Sequence, residues 1–163
     1  MSDRAATRMP PIEREAGVLD TAGCRSYGAR EMAERLHDLR TRLLQLHRLL
    51  LDDERGAYEA TYGPVGGPEL LQLLLRHEQF AWLRSLSAMI STIDAALDEA
   101  EGALADADVD AFFGQTRALL RSGGDGPFET KYRQALQRSA EVVMAHAAVV
   151  KLFGAPSGRR SRA

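Results

Sequence analysis

Leucines set the period of this chain. Leu36, Leu39, Leu43, Leu46 and Leu50 recur at alternating spacings of three and four. That is the apolar stripe one helix presents to a partner helix, and it predicts a first helix over about 29–60. It should stop before Gly63-Pro64-Val65-Gly66-Gly67-Pro68, a stretch that cannot continue a helix. Pro68 suits the first turn of the next helix, where a missing N–H costs nothing. The second helix is predicted over 68–99. Its first half presents Leu70, Leu73, Leu74, His77 and Phe80, its second half Leu83, Leu86, Ile90, Ile93 and Leu97. The two stripes are out of phase, which predicts a kink or short break near His77 to Phe80.

A shorter third helix is expected over 106–121, with Asp106 or Asp108 as its cap and Val109, Phe112, Phe113, Thr116, Leu119 and Leu120 facing inward. Ser122-Gly123-Gly124-Asp125-Gly126-Pro127 ends it. The fourth helix reads as one unbroken run to Phe153. Phe128, Tyr132, Ala135, Ser139, Val142, His146, Val149 and Phe153 keep a four-three spacing, and Leu136, Val143 and Val150 widen the stripe. Gly154 and Pro156 stop it. No segment reads as a strand. The expected fold is all-α: an antiparallel four-helix bundle with its second helix kinked near residues 77–80. Residues 1–28 lack periodicity and read as a mobile arm, 29–153 as the bundle domain, and 154–163 as a basic mobile tail.

Composition narrows the partners. An apolar share of 45% and a charged share of 27% suit one water-soluble domain. The net charge of −2 offers no general affinity for nucleic acid or anionic lipid. Charge is uneven, however: Arg159, Arg160 and Arg162 make the tail +3 while the body carries −5. Cys24 is the one cysteine, so no intrachain disulfide is expected. Thr21-Ala22-Gly23-Cys24 resembles a lipoprotein cleavage site, but Glu13, Arg14, Glu15 and Asp20 stand where its apolar run belongs. No apolar stretch approaches a membrane span. The expectation is a cytoplasmic protein with no membrane and no nucleic-acid partner.

Candidate chemistry rests on the histidines. Glu34 and His37 share the spacing found in di-iron bundles, but on a polar row and without a second copy. His47 and His77 lie on or beside apolar stripes and form the candidate ligand or metal pair. At ~1.5 Å per residue, His47 stands roughly 25 Å and His77 about 30 Å up the bundle, so the two can meet. His146 falls roughly 13 Å or more short on the same estimate. His146 therefore reads as a core histidine, with Asp94 at a similar level as its expected partner. Tyr62 and Trp82, near the interhelix loop and the kink, are the candidate contact surface. No catalytic residue and no cofactor is indicated: the serines lie on helices without a strained elbow, and the glycine clusters lack a Gly-Lys-Ser/Thr step.

Phe80-Ala81-Trp82-Leu83-Arg84-Ser85-Leu86-Ser87-Ala88-Met89-Ile90, with Leu46-His47-Arg48 before it and Ala135-Leu136-Gln137-Arg138-Ser139 after it, resembles a set of small bacterial all-helical proteins. The resemblance covers about Leu36 to Phe153 and implies a bacterial source but no activity. The chain also invites comparison with metal-dependent bundles of the hemerythrin and DinB types. It departs from both, since it has no His-x-x-x-His or His-x-x-x-Glu pair. The expected function is a non-enzymatic protein-interaction or adaptor module, acting through a protein partner or as a homodimer. The alternative is a small-ligand or metal-binding bundle built on the inward histidines.

Overall fold

The computed structural model describes residues 21–99, 104–121 and 123–154, with side chains from residue 28 onward. Among them are six α-helices, one 3-10 segment and no strand. Helix α1 spans Thr21–Tyr62, 42 residues, about 63 Å at the usual rise. It begins eight residues before the expected start, so the last part of the expected arm is helical; residues 1–20 and 155–163 of the expected arm and tail lie outside the described residues. The leucine stripe does what its spacing demands. Leu36, Leu39, Leu43, Leu46 and Leu50 are wholly buried, with Met32 extending the row. α1 ends at Gly63, whose positive φ of 92° lets its N–H reach Glu59 O at 2.9 Å. An L side chain resists that conformation, so glycine is required at this stop.

The expected kink is a full break. α2 covers Gly67–Arg76, a 3-10 segment covers Glu78–Leu83, and α3 covers Arg84–Glu99. His77 turns extended (φ −84°, ψ 135°) and its Nδ1 accepts from Gln79 N, capping the 3-10 segment. The break re-phases the stripe: α2 before it buries no residue, the 3-10 segment buries Phe80, Trp82 and Leu83, and α3 buries Leu86, Ile90 and Ile93. α4 covers Asp106–Leu119. Its cap residue is Ala105, not an aspartate; Asp106 and Asp108 sit in the first turn, where they still suit the helix dipole.

The fourth helix is two helices. α5 covers Pro127–Arg138 and α6 Ala140–Phe153. Ser139 between them is extended, and its Oγ accepts from Val142 N at 3.3 Å, capping α6. A serine hydroxyl competes with the helical ladder for nearby backbone N–H groups, and here it wins. The spacing hid this, because the stripe keeps its phase: Phe128, Tyr132 and Ala135 are buried before the break, Val142, Ala145 and Val149 after it. Val143 and Val150, expected to widen the inner face, are instead exposed. α1 is the shared surface of the molecule. It packs against the 3-10 segment, α3, α4, α5 and α6.

Candidate functional site

Among the described elements α2 has no buried residue, although Leu70, Leu73 and Leu74 pack against the edge of the core. Its loop is pinned at one point: Val65 is buried, its N–H donates to Glu59 Oε1 at 3.0 Å, and its carbonyl accepts from Arg55 Nη2 at 2.8 Å. The Val65 N–H and then Arg55 hold the Glu59 carboxyl below its usual range. At the other end Arg84 Nη2 donates to Leu75 O at 2.9 Å. Both ends of α2 are thus tied, yet none of its ten residues is buried. Leu70, Leu73 and Leu74 are half-buried. Leu71 and Leu75, one turn apart, stay 54% and 61% exposed. Such a short helix draws stability from packing, not propensity, and here the packing covers one side only. Tyr62 is 67% exposed and stands on Tyr58, with ring centroids 4.6 Å apart.

Trp82, the other expected contact residue, faces inward. It is 5% exposed, and its indole N–H donates to Glu54 Oε2 at 3.3 Å. The correction follows from the 3-10 break, which turns this side chain toward α1 and α5. Glu54 is the residue that sequence reading underrated. It is 1% exposed, and its Oε1 accepts from Lys131 Nζ at 3.2 Å. A buried carboxylate survives only with such partners. Glu54 follows Leu50 by four, one helical turn further along the same face of α1, while the alternating spacing itself falls on Asp53.

Each half-buried histidine has its own partner, and no two of them pair. His47 Nε2 lies 2.8 Å from Ser87 Oγ. Ser87 Oγ also lies 3.2 Å from Leu83 O, so its single proton serves one of these two acceptors. Burial lowers the His47 pKa. His77 is occupied in the helix break and packs edge-on against Tyr58, centroids 5.4 Å apart. His146 Nδ1 lies 2.8 Å from Tyr132 Oη. Asp94, its expected partner, pairs instead with Arg40. The fully buried Tyr132 hydroxyl needs an acceptor, and His146, on the adjoining helix, supplies it.

Glu34 pairs with Arg30 on the exposed face of α1, as its polar row implies. Among the described residues no group of three or more His, Cys, Asp or Glu could hold a metal ion. No helix of the described chain is long and apolar enough to cross a membrane. Comparison with protein-family models, with curated proteins and with solved structures finds no match.

Proposed function

We propose that this chain is a non-enzymatic interaction module that docks a protein, foremost a second copy of itself, against α2. The observation that carries the reading is that five leucines occupy a ten-residue helix and none is buried. Exposed apolar side chains grouped on one element mark contact surfaces more often than scattered ones do. Burying the remaining area of Leu71 and Leu75 would contribute roughly 1 kcal/mol each. Tyr62 supplies an aromatic of the kind enriched at interface centres. In the same reading α1, α3, α4 and the α5–α6 pair make an antiparallel four-helix bundle, with α2 as its appended arm. The packing of α1 on all the others supports that arrangement.

Sedimentation equilibrium of the full chain tests the proposal. The expected result is a mass that rises with concentration, and that Leu71→Glu/Leu75→Glu returns to the monomer value. A chain that stays monomeric at the highest attainable concentration overturns the self-association reading, as does a double variant that associates unchanged.

A further inference from the structure

On the face made by the end of α4 and the last two turns of α6, a groove of about 540 Å³ is lined by Arg117, Leu120, Arg121, His146, Val150 and Phe153. Leu120 is buried, Phe153 half-buried and Val150 43% exposed, which gives the groove an apolar side. Among the described residues its polar side is basic or hydrogen-donating, and none of those lining it is a carboxylate.

Three groups are arranged there, each for a separate reason. Arg117 donates from Nη2 to Phe153 O at 3.1 Å and lies over the Phe153 ring, 5.1 Å from its centroid. Its guanidinium is thereby held at the groove with other N–H donors unspent. Arg121 is exposed and has no side-chain partner among the described residues. His146 has its tautomer set from inside. The Tyr132 hydroxyl is wholly buried and His146 Nδ1 is the acceptor within its reach among the described residues, so the phenol donates there. A neutral imidazole accepting at Nδ1 carries its own proton on Nε2. Nε2 is the ring edge that Tyr132 leaves free. The chain continues from Gly154, also in the lining, into a segment bearing three arginines.

We propose that this groove binds a small amphiphilic carboxylate. The carboxylate is held by Arg121 and the His146 Nε2–H, with Arg117 as the second cation, and the alkyl or aryl body lies along Leu120, Val150 and Phe153. Charge selects the anion: two guanidinium groups and an N–H, with no acid among the described residues lining the groove, favour a carboxylate, which guanidinium engages through paired hydrogen bonds. The apolar side selects what the carboxylate is attached to, since a bare inorganic anion gains nothing from it. A polyanion is disfavoured by the −5 charge of the body. The site is on α4 and α6 and does not depend on the docking role of α2.

The experiment is a titration of the full-length protein with 4-phenylbutyrate and, separately, with its neutral amide 4-phenylbutyramide, followed by methyl and backbone NMR shifts. The expected result is that the carboxylate binds roughly tenfold more tightly than the amide, with the largest shifts at Leu120 and Val150. Arg121→Gln, an exposed substitution that leaves the core intact, removes that preference, while Lys151→Gln keeps it. Imidazole nitrogen shifts show His146 protonated on Nε2. Equal affinity for acid and amide overturns the proposal. So does an unaltered preference in Arg121→Gln, a shift pattern centred elsewhere, or no binding of either probe.

Discussion

Two neighbouring regions of this molecule treat polarity in opposite ways. At the junction of α1, the 3-10 segment and α5, a carboxylate is 1% exposed. A few residues along the chain, α2 carries five leucines and buries none. Hydrophobicity alone would reverse that order. What separates them is the supply of partners. Glu54 meets an indole N–H on one oxygen and an ammonium on the other, so its desolvation is offset by charge-assisted hydrogen bonds. α2 is tethered by a glycine-proline loop at one end and by the His77 break at the other. Its principal contact is with the 3-10 segment that follows it, so one side of its leucine set has nothing to pack on.

The sharpest way to break the comparison is Glu54→Ala. It leaves the Trp82 N–H buried without an acceptor and is expected to cost about 3 kcal/mol, read from urea unfolding; a cost under about 1 kcal/mol would mean the cluster is not what holds this junction. Next in size is Tyr132→Phe, which keeps the ring stacked on Phe128, now 5.3 Å between centroids, and removes only the bond to His146. A loss of about 1 kcal/mol is expected by the same measurement.

Acid should act through two half-buried imidazoles. Burial lowers the pKa of both His47 and His146 from 6.5, so below pH 6.5 the unfolded chain takes up protons that the folded chain refuses. Stability therefore falls as pH drops from 6.5 toward the folded-state values, then levels off for these groups. Glu59, depressed from 4.5, adds stability above that value and loses it only as pH falls below it. Thermal melts across this range should show the first decline. His47→Gln together with His146→Asn, which place an amide nitrogen or oxygen near the atoms now bonded, should flatten it; an unchanged slope in the double variant would assign the acid sensitivity elsewhere.

The smallest effect is expected where the leucines are exposed. Leu71→Glu/Leu75→Glu should change unfolding free energy by no more than about 0.5 kcal/mol per site, while abolishing the rise in mass with concentration. A large loss of stability would show that these side chains pack within the monomer, and the contrast with Glu54 would collapse.

Much of the secondary structure was legible because its signals are local. The glycine-proline stop after α1, the proline at the start of α2 and the phase slip near His77 all reside in a few consecutive residues. The break at Ser139 was not legible, because one extended residue left the buried stripe in phase from Ala135 to Val142. The candidate site was read less well. Of the two aromatics offered together as a contact surface, Tyr62 is exposed and Trp82 is turned inward. The 3-10 turn that rotates it inward leaves no periodic mark over six residues. The expected His146–Asp94 pair came from level estimates along straight helices. Asp94 instead meets Arg40, and His146 meets Tyr132 across the Ser139 break.

The sequence by itself determined that this chain is helical, where its strongest breakers fall, and that one face of α1 is buried from Leu36 to Leu50. Those properties follow from backbone sterics and from a period repeated over many residues. The tertiary structure alone decided which leucines lack a partner and which charge may be buried. Glu54 reaches Trp82 across 28 positions and Lys131 across 77. Whether a group so placed is satisfied depends on distances of a few ångströms between distant segments, which no spacing along the chain encodes.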